Sequence, residues 1–544
     1  MKKIIWLILV VVIIASIPRL WYLGKIPSSL SDDEIRLVYS SYSIWETGRD
    51  LHGNFFPLTF IMDSYAFNPV PIYLTSPFVG LLSLNMFWAR FPFALAGIAS
   101  VSLTFLVVLQ LLKNRTISFL SSAVLAFSAW HLQLSRFAYE GTIALMLYLI
   151  GINIFIYLKK SNIILTSLSM VAFLLAFYCY SGTKIIFLPI LLILVWYKIK
   201  HLNHKQVVII IGFVLFTFSS FIYLSKYENA SSYGPSQFFF QNISSTVSEK
   251  VELERRVSSA PEIIKKIFHN KATYLFRIFV DQYSHAFSPQ YLFTSQEGSG
   301  IFSIWGRGQF YLMEALLILP GLIYLFLKKQ KEFFLIMLFL FVAPLPSGFG
   351  ADPITYTIRS SFMLPWVSVI IGAGIYSISY FIKQIKVRNI IYFILVFVYI
   401  YAVSGYFSQY YFEWDSQGSK YYSKATQDLA RFLKEEKGKR KLILVAKTGY
   451  NTFLHYAFYN KVSPQLAQAN INKNIIKIDN ITFMQGCPDL SKNDPRKLLS
   501  EEKSTYVVPF PCPKTKISHM NYLWNPDQII RYSILEEEWY IYRN

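Results

Sequence analysis

Residues Ser31-Asp32-Asp33-Glu34-Ile35-Arg36 set three carboxylates and a guanidinium within one short run. Asp33 and Arg36 are spaced i, i+3, so on a helix they share a face. This pairing suits a displacement in which a carboxylate takes a proton from an attacking hydroxyl while cations hold a departing phosphate. Asp33 is the candidate general base, and a low-dielectric surface nearby would lift its pKa towards a useful value. The same residues also fit an acidic helix start. Ser31 or Asp32 would be the N-cap, with Asp33 and Glu34 on the positive end of the dipole. The two readings are compatible.

What must position this cluster is a membrane protein. The chain has 544 residues, 54% hydrophobic and only 15% charged, where soluble domains carry about 25% charged residues. Apolar runs long enough to cross a bilayer recur along most of it. Spans are expected at 4–23, 90–112, 116–134, 141–158, 162–180, 184–198, 206–224, 310–327, 332–346, 360–382 and 389–408. The apolar stretch Pro69–Leu84 contains Pro69 and Pro71 and is short, which suits an interfacial or re-entrant helix instead. With eleven spans, the basic tracts 113–115, 159–160, 198–205, 328–331 and 383–388 all fall on the side of the N-terminus, as the positive-inside rule requires. The first segment follows Lys2 and Lys3, is long for a signal peptide and lacks a small-x-small cleavage site. A retained helix with its N-terminus in the cytoplasm is expected. Topology therefore accounts for much of the net charge of +21, and no nucleic-acid partner is expected.

Four polar pieces then lie outside: 24–89, a turn near 135–140, the long loop 225–309 and the region from 409 onwards. The division expected is a transmembrane module, 1–410, and an extracytoplasmic α/β domain, 411–544. In the latter, Tyr421–Glu436 reads as an amphipathic helix, and Lys441–Ala446 and Thr505–Val508 as buried strands. Cys487 and Cys512 fall here, where a disulfide could form; with Cys179 they make no metal-binding spacing. No Walker, HExxH or GxSxG motif is present.

Beyond these local readings, the chain resembles a known group. Asp33-Glu34-x-Arg36 after the first helix resembles the first-loop motif of the bacterial aminoarabinose transferase family and the related protein O-mannosyltransferases, which are GT-C membrane glycosyltransferases. Gly48-Arg49-Asp50-x-His52-Gly53 followed by Pro57, Trp130-His131-Leu132 to Arg136 and Glu140, and Tyr180-Ser181-Gly182-Thr183-Lys184 are similar to later segments of those enzymes. So are Phe287-Ser288-Pro289 with Tyr291, then Gly308 and Glu314, and Arg359 before Pro365. Together these cover roughly residues 1–410. There are departures. Phe67-Asn68-Pro69 stands where the aminoarabinose enzymes have Glu-Lys-Pro, which removes a cation near the donor. Glu140 replaces the commoner Asp, and Lys184 the usual Arg, giving a point charge instead of a fork.

The resemblance implies a GT-C fold and hexosyl or pentosyl transfer from a polyprenyl-phosphate-linked sugar, undecaprenyl phosphate in a bacterium. The acceptor would be a lipid, a protein or a glycan, at the outer face of the membrane. Asp33 would be the base and Glu34 its support. Arg36, Lys184 and Arg359 would contact phosphate. Glu140 would bind sugar or, with Asp33, a divalent metal ion. Asn68 and His285 are further candidates for substrate binding, and His131 and Arg136 weaker ones. A different class, a flippase for a lipid-linked saccharide, would place charges near mid-membrane; here the charges near the spans sit at their ends.

Overall fold

The computed structural model describes residues 2–62, 65–158, 162–227, 247–295, 301–304, 306–350, 356–440, 443–447, 449–471, 475–486, 496, 503–510, 525–531 and 538–544. Ten of the eleven expected spans coincide with one helix each, and 116–134 with two. Among the described residues, seven helices are long and apolar enough to cross a membrane on their own. An eighth span would be Arg115–Phe127 with Ala129–Ser135, two helices bent by 61° at a short break. Ser128 makes that break: its φ of −57° and ψ of 124° leave the helical region, and its hydroxyl caps His131 N. The remaining three, Ile163–Phe177, Thr183–Lys198 and Leu312–Lys328, have 15, 16 and 17 residues. Such helices fall short of the roughly 20 residues that span a full hydrocarbon core. Pro69–Pro77 is also short, as its prolines predict, and runs into a π-helical turn, Phe78–Leu82.

By contacts, the chain forms two compact units. The first comprises 1–21, 64–70 and 93–407 and holds most of the apolar helices. Its helices approach closely where side chains vanish. A Cβ on Gly321 would strike Ile370 O, and one on Gly374 would strike Leu317 O. Helices Leu312–Lys328 and Leu364–Phe381 therefore meet backbone to backbone, as small residues allow in membrane helices. The C-terminal end of the first helix, Lys2–Leu20, is closed by Arg136, whose Nη1 donates to Pro18 O at 2.6 Å and Arg19 O at 3.1 Å. Arg136 is 1% exposed, so it is a cation on a helix C-terminus rather than a snorkelling side chain.

The second unit comprises 22–63, 71–92 and 408–544. It joins the first-loop motif and the C-terminal region in one body. Its sheet is built from Ile443–Lys447 (β1), Ile475–Ile478 (β2), Ile481–Gln485 (β3), Thr505–Phe510 (β4), Gln528–Ile530 (β5) and Glu538–Arg543 (β6). The order is β2-β3-β1-β4-β6-β5. The central strand β1 pairs in parallel with β3 and β4, and the outer pairs are antiparallel. Ile443, Val445 and Ala446 of β1 are buried, as strands covered on both faces must be. The amphipathic helix appears as Lys424–Glu436 and buries Leu429, Ala430, Phe432 and Leu433. Lys441, Leu442, Cys487 and Cys512 lie outside the described residues.

Candidate active site

The motif helix is Asp32–Thr47, and Ser31 is its N-cap. Glu34 N donates to Ser31 Oγ at 3.3 Å, and Ser31 N donates to Glu34 Oε2 at 2.9 Å, a complete capping box. At the other end Gly48 closes the helix with φ 66°, a left-handed conformation that glycine adopts at no steric cost. Asp50 then accepts His52 N and Asn54 N at 2.9 and 2.8 Å, and Gly53 turns the chain with φ 90°. The Gly-x-Asp-x-x-Gly segment is thus a helix stop followed by an Asx turn.

The three adjacent carboxylates meet three different environments. Glu34 is buried in an ion pair: Arg90 Nε donates to Oε1 at 2.9 Å and Arg90 Nη2 to Oε2 at 3.2 Å, both side chains being at most 1% exposed. Arg90 also donates to Pro27 O and Ser29 O, at 2.7 and 2.5 Å. Glu34 therefore supports the helix start. Asp32 is tied down from the C-terminal region. Ser423 Oγ and His455 Nε2 donate to its Oδ1 at 2.9 and 3.2 Å, and Asn451 Nδ2 donates to its Oδ2 at 3.0 Å. Partial burial would raise its pKa, but the His455 hydrogen bond and charge, the Ser423 hydroxyl and Arg36 outweigh it and hold the carboxyl at about 2.

Asp33 remains accessible. Its side chain is 75% exposed, with Arg36 Nη1 3.5 Å from Oδ1. Desolvation by nearby protein raises its pKa above the ordinary carboxylate value. Arg36 offsets part of the rise, while Asp32 and Glu34 add to it. A reachable carboxylate with a raised pKa and a cation alongside can accept a proton near an anionic group.

In the first unit, Glu140 begins helix Glu140–Tyr157. Asn68 Nδ2 donates to Glu140 Oε1 at 3.4 Å, and Lys184, at the start of Thr183–Lys198, is electrostatically coupled to Glu140. Lys184 Nζ also lies 5.3 Å from the Phe221 ring centre. Tyr139 is within electrostatic range of both Glu140 and Arg359. His285 ends helix Lys271–His285 with its ring 5.4 Å from Tyr291, whose hydroxyl bonds Ser360 Oγ at 3.1 Å, next to Arg359. Asn68, Glu140 and Lys184 thus gather within one unit, with Arg359 linked to them through Tyr139 and His285 set beside Tyr291, while Asp33, Glu34 and Arg36 lie within the other. His131 is buried against Arg19, Nδ1 to Nη2 at 2.6 Å.

Arg90, Ser423, Asn451 and His455 were not legible as site residues. For Arg90 the signal was a lone guanidinium inside an apolar run. For Asn451 and His455 it was a polar stripe, completed by Tyr459, four residues apart in an aromatic segment; Ser423 carried no signal. No group of three or more His, Cys, Asp or Glu gathers as a metal site among the described residues.

No protein-family model and no curated protein matches the chain. Solved structures do. ArnT from Cupriavidus metallidurans, bound to undecaprenyl phosphate, aligns with TM-score 0.53 at 10% identity over 99% of this chain and 98% of that one. Its apo form aligns with TM-score 0.51 at 9% identity over the same shares. The Archaeoglobus fulgidus oligosaccharyltransferase, tethered with an acceptor peptide containing the NVT sequon, aligns with TM-score 0.49 at 12% identity over 84% of this chain. The chain spans 63% of that enzyme's length. The chain has the fold of a polytopic helical membrane protein of GT-C architecture with a small C-terminal sheet. Over its full length the chain has the fold of ArnT.

Proposed function

We propose that this chain is an inverting glycosyltransferase that moves a sugar from a polyprenyl-phosphate donor, undecaprenyl phosphate in a bacterium, to a lipid, protein or cell-envelope glycan at the outer face of the plasma membrane. The observation that carries this reading is the division between adjacent carboxylates. Asp32 is fastened by three donors, while Asp33 stays 75% exposed with Arg36 beside it. The undecaprenyl phosphate bound to ArnT, a protein of the same fold, supports the choice of donor.

In the reaction, the Asp33 carboxylate takes the proton of the acceptor hydroxyl as its oxygen bonds to the anomeric carbon. The bond from that carbon to the phosphate oxygen breaks on the opposite face, and polyprenyl phosphate leaves with the electron pair. One displacement inverts the anomeric centre. Arg36 is assigned to the phosphate, whose charge grows as the bond breaks, and Lys184 and Arg359 of the other unit are further candidate anion contacts. Glu140, with Asn68, is assigned to sugar hydroxyls, and His285 to the edge of the same site. The N-terminus is assigned to the cytoplasm, and residues 411–544 to the extracytoplasmic side.

The test uses purified protein in nanodiscs with radiolabelled undecaprenyl-phosphate sugars, wild type beside Asp33→Asn. Sugar release by wild type that falls about 10²–10⁴-fold in the variant supports the reading. Undiminished release by a folded Asp33→Asn protein would remove Asp33 from the mechanism. Movement of the labelled lipid across the bilayer without release would make the chain a transporter.

A further inference from the structure

The helix Gly449–Tyr459 has two faces. Phe453, Leu454, Tyr456, Ala457 and Phe458 are buried, and Phe453 and Tyr456 pack on Phe483 of β3. Asn451, His455 and Tyr459 recur every four residues and so form one stripe, which faces the motif helix and the chain leading into it. Tyr459 hydroxyl contacts Ser29 Oγ at 2.9 Å and accepts Leu30 N at 3.2 Å. His455, 0% exposed, donates through Nε2 to Asp32. Asn451 spans two charges at once. Its Nδ2 donates to Asp32 Oδ2 at 3.0 Å, and its Oδ1 accepts Arg36 Nε at 3.0 Å.

The Asn451 amide offers a donor to the anion and, on a separate atom, an acceptor to the cation. Asp32 and Arg36 are four residues apart on the motif helix. With nothing between them they would pair with each other, drawing Arg36 away from Asp33. Asn451 keeps them apart and leaves the second nitrogen of Arg36, Nη1, directed at Asp33. The rest of the motif helix is held by the same region: Tyr39 hydroxyl donates to Val462 O at 2.9 Å, and Gln468 Nε2 donates to Ser43 Oγ and Thr47 Oγ1, both at 3.0 Å.

We infer that Asn451 and His455 of the C-terminal domain are positioning residues of the active centre, acting through Arg36 and Asp32 to set the Asp33–Arg36 pair. The C-terminal domain is then a working part of the catalytic apparatus. The inference rests on the glycosyl-transfer reading for its kinetic consequences, while its geometry stands apart from that reading.

The experiment is a double-mutant cycle on the full-length protein in nanodiscs, with Arg36→Ala, Asn451→Ala and their combination, read as kcat and KM for labelled undecaprenyl-phosphate sugar release. Asn451→Ala should lower kcat/KM about tenfold or more, the scale of a hydrogen bond to a charged group. The double variant should be no worse than Arg36→Ala, because the two act as a unit. His455→Gln, which keeps a donor for Asp32, should restore most of what His455→Ala loses. Independent, multiplicative losses, or wild-type kinetics in folded Asn451→Ala and His455→Ala, would overturn the inference while leaving the function intact. Should Asn451→Ala not fold, Asn451→Ser takes its place in the cycle. Should wild type release no sugar from any donor, the function falls instead, and phenylglyoxal decides the positioning claim. Labelling of Arg36 should then quicken in Asn451→Ala with other arginines unchanged, and an unchanged Arg36 rate refutes it.

Discussion

Replacing Arg90 by Met strands the Glu34 carboxylate in a site where both partners are at most 1% exposed. Solvent cannot screen the loss, so the cost is that of breaking a buried pair, about 3–5 kcal/mol. Two carbonyls, Pro27 O and Ser29 O, lose their donor at the same time. At about 1.4 kcal/mol per decade, the local opening equilibrium of the motif helix should rise by roughly two to three and a half orders of magnitude. Hydrogen exchange followed by mass spectrometry on peptides covering Asp32–Thr47 reads this quantity directly, because exchange reports local opening free energies. Glu34→Gln placed in the Arg90→Met background removes the stranded charge and keeps an oxygen for Ser31 N–H. Most of the lost protection should return. If Arg90→Met lowers protection by less than tenfold, or if the second substitution restores nothing, the pair does not anchor the motif helix and the reasoning fails.

Two further outcomes follow from the same geometry. The raised pKa of Asp33 puts the acid limb of kcat/KM above the ordinary carboxylate value, since the base must be ionised; a limb at the ordinary value would contradict the assignment. By linkage, a carboxyl whose folded pKa is raised costs stability once pH passes its unfolded pKa. Asp33→Asn should therefore melt no lower than wild type at neutral pH while losing transfer, and a clear drop in melting temperature would mean that Asp33 is structural. Gly350 leaves the space that the Arg359 guanidinium fills. Gly350→Ala should displace Arg359 and raise the donor KM by about tenfold or more, and unchanged KM would place Arg359 away from the phosphate.

The features legible in the sequence are those that local physics enforces. Hydropathy places each span, because a bilayer demands a long apolar helix with its backbone bonds satisfied internally. Ser31 and Glu34 announce the helix start, because a capping box is a three-residue affair. The strands near Ile443 and Thr505 and the helix ending at Glu436 show in their periodicity. Tertiary structure alone decided what each acid of the motif does. Asp32, Asp33 and Glu34 are interchangeable on paper, and partners far along the chain separate them: Arg90 is 56 residues from Glu34, and His455 is 423 from Asp32. Such pairings leave no period in the sequence, because they depend on which helix faces meet after folding. The lone arginine at 90 and the four-residue stripe from Asn451 to Tyr459 acquire meaning only once β1 and its neighbours set that helix against the motif.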